Sequence, residues 1–209
     1  KEEIKALVIT SSDQNRNSNT SKYGPADVRQ RNKIQELKSL GSEFDNRNYT
    51  FTNHFYKAQL YYELKQTRYF QYEILVQPEI NFAEHRLLNF YFVKPETPDY
   101  QQKRDKYTQL KNIHEYVMNV GFVVRKPIGK IYSCYFLGSI GPMITDTETE
   151  RMSKGFAFAD ILAVGFTAAY DRFQIDIRPS LRHVSNAGLG SSNAGYNTKN
   201  VEFGILYQL

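Results

Sequence analysis

Two residues of this chain, His183 and Ser185, have types and a spacing that suit nucleophilic catalysis. They stand two positions apart in the stretch His183-Val184-Ser185-Asn186, so on an extended strand both side chains point to the same face. A serine hydroxyl attacks a carbonyl carbon once a neighbouring base takes its proton, and an imidazole suits that task near neutral pH. We therefore predict that Ser185 is a nucleophile and that His183 is its general base.

The residues that follow Ser185 suit an oxyanion hole. Small residues let backbone N–H groups approach a reacting carbonyl oxygen closely. The donors that we predict are the backbone around Asn186, Ala187 and Gly188, with the side-chain amide of Asn186 or Asn193 as a further one. A His-x-Ser pair is a weak motif by itself, and a polar strand end entering a loop has the same appearance. The predicted strands around the pair must therefore show whether it is a catalytic site or only a polar strand end.

Eight segments have the composition and alternation of strands, and turns separate them. The sequence has 16 Tyr and 14 Phe, which favour strands. The predicted strands are about 4–11, 49–64, 69–83, 113–125, 131–144, 155–169, 173–184 and 200–209. The connections alternate between short turns (65–68, 126–130, 170–172) and longer polar segments (12–48, 84–112, 145–154, 185–199). This asymmetry is typical of outer-membrane barrels. Segment 12–48 is either a loop or contains a short helix near Val28–Leu40.

The alternation places apolar and polar side chains on opposite faces of each strand. In 173–184 the apolar row contains Phe173, Ile175, Ile177 and Leu181, and it also contains His183. A lipocalin-like barrel would turn this face inward, and a membrane barrel would turn it to lipid. The charges of both signs in the polar rows favour a polar lumen and thus the membrane barrel. Asp160 falls on an apolar face, which we interpret as a rim position or a β-bulge.

Composition excludes several other classes of protein. No run of about 18 apolar residues is present, so a transmembrane helix is excluded. Cys134 is the only cysteine, which excludes an intrachain disulfide framework. The net charge of +5 is small, and the Lys and Arg residues are dispersed along the chain without forming a basic stripe. We therefore expect no nucleic-acid partner. His54, His85 and His114 lack ligand spacing, and we expect no metal and no cofactor. The N-terminus has no signal-peptide pattern, so an exported protein would have this chain as its mature form.

The stretch His183-Val184-Ser185-Asn186-Ala187-Gly188-Leu189, followed by Asn193-Ala194-Gly195, resembles the lipid A 3-O-deacylase (PagL-like, acyloxyacyl-hydrolase-like) family of the outer membrane. The sharp match covers about residues 181–197. The resemblance implies an all-β fold, an eight-stranded antiparallel transmembrane β-barrel, in one domain spanning 1–209. It also implies that His183 and Ser185 hydrolyse the ester that holds the 3-position acyl chain of lipid A.

The third member of the site departs from that family. Its pattern has a Glu as the acid shortly after the Asn-x-Gly, and the ungapped match lands on Asn197. An Asn orients an imidazole through its carbonyl oxygen but does not neutralise the imidazolium. Glu202 is the nearest downstream carboxylate, and its parity places it in the lumen, away from His183. We therefore predict that Asn197 is the third catalytic residue, with a reduced rate or an altered specificity.

Two other functions fit the same pattern. One is a non-catalytic barrel of the same fold that binds lipopolysaccharide, and the other is a soluble barrel that binds a small apolar ligand. The expected partners of the enzyme are lipid A, or lipopolysaccharide, and outer-membrane lipids. Both a monomer and a homodimer fit the sequence.

Overall fold

The computed structural model describes residues 4–7, 10–11 and 48–207, and the possible helix near Val28–Leu40 lies outside them. The strands of this part of the chain are β1 Ile4–Leu7, β2 Thr10–Ser11, β3 Tyr49–Lys57, β4 Leu60–Gln66, β5 Gln71–Leu87, β6 Lys111–Ile128, β7 Tyr132–Thr145, β8 Gly155–Tyr170, β9 Phe173–Ser185 and β10 Tyr196–Tyr207. β1 and β2 together form one barrel strand, as do β3 and β4. The eight predicted strands are therefore confirmed.

The strands form an antiparallel ring in which each one pairs with its neighbours in sequence. From β5 to β10 every consecutive pair is hydrogen-bonded. The ring closes where Ser11 of β2 pairs with Phe203 of β10 on one side and with Tyr56 of β3 on the other. A closed ring leaves no unpaired sheet edge, which a lipid environment would not tolerate.

The outer wall of the barrel is apolar and the lumen is polar. Along β9 the side chains of Phe173, Ile175, Ile177 and Leu181 are exposed, whereas those of Asp176, Arg178, Ser180 and Arg182 are buried. The same alternation runs along β5, where Leu75 is the apolar exception that faces inward. An apolar face turned outward is the pattern of a transmembrane barrel, and the lipocalin-like alternative is therefore wrong.

Paired charges fill the lumen. The guanidinium of Arg178 lies 2.7 Å from Glu202, and the ammonium of Lys57 lies 3.0 Å from the same carboxylate. Arg182 lies 2.9 Å from Glu115, and Lys57 and Arg182 both contact Glu79. Each of these charges is buried, so each depends on its partners in place of water.

A row of small residues on β8 makes room for these large lumen side chains. Ala157, Ala159, Ala163 and Gly165 all face inward. The ring of Tyr135 packs over Gly165, its cross-strand partner, so closely that a Cβ there would lie 2.1 Å from the ring. The Tyr135 hydroxyl then donates to Asp176 at 2.8 Å. The absence of a side chain at Gly165 is thus what lets this aromatic ring lie flat against the wall.

The long connections lie at the opposite rim from the short turns. The segment predicted as a loop at 84–112 differs from that prediction, because β5 continues to Leu87 and a 3-10 helix follows at Phe90–Phe92. Helix α1 then spans Tyr100–Thr108. Among the described residues, neither helix is long and apolar enough to cross a membrane. α1 is held to the next long connection, 146–154, because Tyr107 and Lys106 both contact Glu148.

Candidate active site

Strands β8, β9 and β10 present the candidate site on the outer wall, close to the long-loop rim. His183 is exposed and Ser185 is half-buried on the same face of β9. Their neighbours Arg182 and Val184 are buried in the lumen. The sequence prediction that both residues face lipid is therefore confirmed. The polar His183–Ser185 pair at this position is accessible to a molecule that is itself embedded in the membrane.

Asn197 contacts the imidazole across the β9–β10 pair. Its register partner is His183, and its Oδ1 lies 2.6 Å from His183 Nδ1. We predicted that 185–199 is a loop, but β10 begins at Tyr196, so Asn197 lies on a strand. Because an amide oxygen only accepts hydrogen bonds, Nδ1 is the donor in this contact, and in the neutral imidazole Nε2 is then the nitrogen with the free lone pair. This is the tautomer that a general base requires.

The structure brings His183 and Ser185 to one face without joining them. Among the described residues, no hydrogen bond links the imidazole to the Ser185 hydroxyl. The side chains start from Cα atoms two residues apart, about 7 Å along the strand. Catalytic hydrogen bonds of this kind commonly tighten only when substrate binds.

Hydrogen bonds within the loop after Ser185 hold its backbone in place. Asn186 is buried, its backbone N–H donates to Asn193 Oδ1 at 2.8 Å, and its own Oδ1 accepts from the Gly188 N–H at 3.1 Å. Ala187 has a φ of 52°, in the left-handed region. The N–H groups of Asn186 and Gly188 thus already have acceptors. Of the oxyanion donors that we predicted, the Ala187 N–H and the Asn193 side-chain NH₂ are the ones left without acceptors within the described chain.

Arg151 anchors this loop to the neighbouring connection, and sequence reasoning missed it. Its Nε donates to the carbonyl oxygen of Gly195 at 2.6 Å, and its Nη2 donates to that of Ala194 at 3.1 Å. The Ala194 N–H donates in return to the Arg151 carbonyl oxygen at 2.7 Å. Gly195 has a φ of 58°, and a Cβ there would meet the Val184 carbonyl at 2.5 Å. These contacts fix the start of β10 and hence the position of Asn197.

Asp160 is a second residue that sequence reasoning did not connect to the site. It is the register partner of His183 on β8, just as Asn197 is on β10. Pairing is continuous from Phe158 to Ala163, so our interpretation of Asp160 as a β-bulge is wrong. Its carboxylate oxygen Oδ1 is buried and has no hydrogen-bond partner. Asn197 and Asp160 are thus the direct cross-strand neighbours of His183 on its two sides, and only Asn197 makes a hydrogen bond to the imidazole.

An open apolar groove runs along the outer wall beside the site. It has a volume of about 690 Å³, and Leu162, Pro179, Leu181 and Val201 are among its lining residues. Leu181 lies two residues before His183 on β9, on the side away from the long-loop rim. The groove therefore begins at Leu181, next to His183 on the same face of β9, and extends towards the middle of the barrel wall.

The remaining titratable candidates have other contacts. Glu202 is buried in the lumen against Arg178 and Lys57, as its parity predicted. His85 contacts Glu150 at 2.8 Å and His114 contacts Asp146 at 2.7 Å. Within the described residues, no group of three or more His, Cys, Asp or Glu side chains is arranged to hold a metal ion.

These features define a membrane-type β-barrel that carries a histidine–serine site on its lipid-facing wall. The family model for lipid A 3-O-deacylase (PagL) matches residues 87–205, which is more than half of the chain. The chain therefore belongs to the lipid A 3-O-deacylase (PagL) family, and the resemblance that its sequence showed is confirmed. Family membership together with the apolar outer wall assigns the protein to the bacterial outer membrane.

Two solved structures match nearly the whole of this chain at low sequence identity. The crystal structure of the outer membrane enzyme PagL has a TM-score of 0.49 and 11% identity, over 96% of this chain and 97% of that chain. The Yersinia pestis outer membrane protein Ail, solved in a phospholipid bilayer nanodisc, has a TM-score of 0.38 and 12% identity, over 98% and 99% of the two chains. No curated protein matches this sequence.

Proposed function

We propose that this protein is a serine esterase that removes the ester-linked 3-hydroxyacyl chain from lipid A. Ser185 is the nucleophile, His183 the general base and Asn197 the residue that orients the imidazole. The observation that carries this proposal is the 2.6 Å contact from His183 Nδ1 to Asn197 Oδ1, because it leaves Nε2 as the basic nitrogen on the face that Ser185 shares. The family to which the chain belongs supplies the substrate class.

The reaction follows from these positions. Ser185 Oγ attacks the carbonyl carbon of the acyl ester, and its proton passes to His183 Nε2. The Ala187 N–H and the Asn193 NH₂ donate to the oxyanion of the tetrahedral intermediate. As this intermediate collapses, the bond to the sugar oxygen breaks and the imidazolium returns the proton to that oxygen. Water then hydrolyses the acyl-enzyme with His183 again as the base, which releases a 3-hydroxy fatty acid.

The outer-wall groove supports a lipid substrate over a soluble ester. Its lining is largely apolar, and it begins about 7 Å along β9 from His183. An acyl chain bound with its ester carbonyl at Ser185 would run along β9 past His183, and its more distant methylene groups would lie in this groove. Binding energy from the chain then positions the reacting carbonyl.

A non-catalytic lipopolysaccharide-binding barrel is the second candidate function, and it is favoured by the neutral side chain at Asn197.

To separate the two candidates, purified protein in detergent is mixed with hexa-acylated lipid A, and the products are analysed by mass spectrometry. We expect the wild type to remove one hydroxyacyl chain and Ser185→Ala to remove none. Ser191→Ala, in the same loop but with its hydroxyl on Ser153, is the matched control and keeps activity. Intact lipid A with the wild type would refute the esterase.

A further inference from the structure

Asp160 lies directly across from His183 and has no assigned role in the proposed reaction. We propose that Asp160 is a positioning residue whose negative charge stabilises the imidazolium of His183 during ester hydrolysis. This inference rests on the proposed function, because it concerns the charge that His183 acquires when it takes the Ser185 proton. It places the negative charge of the site on β8 and the orienting hydrogen bond on β10.

The register of the barrel makes the two residues direct cross-strand neighbours, although their side chains form no ion pair in this structure. Asp160 and His183 are cross-strand partners, and the pairs on either side, Phe158–Ser185 and Leu162–Leu181, keep the same register. Directly opposed residues of antiparallel strands have Cβ atoms about 4.5–5.5 Å apart. Both side chains are on the outer face, since Ala159, Ile161 and Val184 are buried in the lumen. An opposite charge at such a distance favours the protonated form of an imidazole.

The apolar surroundings of Asp160 make its carboxylate unfavourable for the stability of the barrel. The other outward residues near it on β8 are Phe158 and Leu162, and its partner on β7 is the exposed Ile140. Carboxylates on the lipid face of a barrel destabilise it, to a degree that depends on depth. Oδ1 of Asp160 is buried without a hydrogen bond, so it has no compensation in the resting state. A cation that forms beside it only during the reaction would supply that compensation.

The other groups that face His183 do not replace this charge. Asn197 on β10 orients Nδ1 but is neutral. Lys199, two residues further along β10, is exposed and pairs with Leu181, so it lies two strands away from Asp160. Within the described residues no salt bridge joins Lys199 or any other cation to Asp160. The carboxylate is therefore available to the imidazolium.

The test moves the carboxylate from one side of His183, at position 160, to the other side, at position 197. Asp160→Asn keeps the shape and removes the charge, and we expect it to lower the hydrolysis rate about 10- to 100-fold, as loss of one neighbouring opposite charge does. The double variant Asp160→Asn with Asn197→Glu restores a carboxylate on the other side of His183 and should recover most of that loss. Asn197→Glu alone should raise the rate by a smaller factor than it does in the Asp160→Asn background.

Two readouts are made on the full chain in detergent: release of hydroxyacyl chain from lipid A, and the rate at which a fluorophosphonate labels Ser185. Heat-modifiable gel mobility shows that each variant is folded. An active wild type with an unchanged Asp160→Asn rate would overturn the inference and leave the esterase standing. A loss that Asn197→Glu does not recover in a folded double variant would overturn it as well. A wild type that is neither active nor labelled would overturn the proposed function, and this inference with it.

Discussion

The imidazole of His183 is held by Asn197, whose Oδ1 lies 2.6 Å from Nδ1 across the β9–β10 pair. Both residues are on regular strands of a closed barrel, which hold a functional group more rigidly than a loop does. Ser185 is the last residue of β9, so the proposed nucleophile lies where the strand ends and the loop begins. The proposed base is thus fixed by the barrel, and the proposed oxyanion donors are fixed by the loop.

The first prediction concerns this contact. Asn197→Leu keeps the approximate volume and removes the acceptor, so the imidazole loses its preferred tautomer and orientation. We expect kcat for lipid A hydrolysis to fall about 100-fold or more with little change in KM, because loss of correct general-base geometry costs that much. Asn112→Leu, at an exposed position elsewhere on the long-loop rim, is the control and should keep wild-type rates. Equal losses in both variants would mean that Asn197 acts only through stability.

Much of the barrel could be predicted from parity alone, whereas the pairing of Asp160 with His183 depended on the length of one hairpin turn. We predicted a three-residue turn at 170–172, but Tyr170 pairs with Phe173, so only Asp171 and Arg172 form the turn. A change of one residue in a hairpin turn shifts every pair between its strands. With the two-residue turn, Asp160 falls opposite His183. The positive φ of Asp171, 54°, suits such a turn, and the signal in the sequence was the Asp itself, which adopts this region more readily than most residues.

The loop after Ser185 could not be predicted in the same way. Its ten residues are positioned by contacts with a distant segment, chiefly those of Arg151 with the carbonyl oxygens of Ala194 and Gly195. No periodicity or local spacing in the sequence indicates such a pair. The start of β10 at Tyr196 therefore came earlier than we predicted, and Asn197 was placed in a loop.

The second prediction tests the groove as the acyl-chain site. Val201→Trp adds a large ring to the groove wall, so it should obstruct long acyl chains more than short ones. We expect KM for hexa-acylated lipid A to rise several-fold, because the lost contacts are those of the substrate's methylene groups. Hydrolysis of a short-chain aryl ester should be nearly unchanged, since it does not reach Val201. Phe203→Trp, further along the same outer face of β10, is the matched control. Equal effects on both substrates would separate the groove from acyl recognition.

The third prediction concerns the lumen. Glu202→Gln removes the carboxylate that contacts Arg178 at 2.7 Å and Lys57 at 3.0 Å, and it leaves both cations buried with less compensation. Breaking a buried ion pair in this way typically costs about 3–5 kcal/mol. Urea unfolding of the detergent-solubilised barrel, followed by gel mobility, should show this loss. Glu84→Gln, an exposed position on β5, should leave the midpoint within error. A stable Glu202→Gln variant would show that the lumen charges are compensated by other groups.

The fourth prediction is a pH dependence in the long-loop rim. Hydrogen bonds from the Lys106 ammonium and the Tyr107 hydroxyl hold the pKa of Glu148 below its usual value of 4.5. Because the folded pKa is the lower one, these contacts stabilise docked α1 above pH 4.5 and are lost as the pH falls through the depressed value. Hydrogen exchange of the α1 amides, corrected for intrinsic rates, should therefore show less protection at pH 3 than at pH 7. The pair is about half exposed, so the change is a few-fold. Glu148→Gln should abolish this pH dependence, and Glu96→Gln, at an exposed position in the connection that carries α1, should not. If protection in the wild type did not change with pH, the contacts of Glu148 with Lys106 and Tyr107 would not be what holds α1 in place.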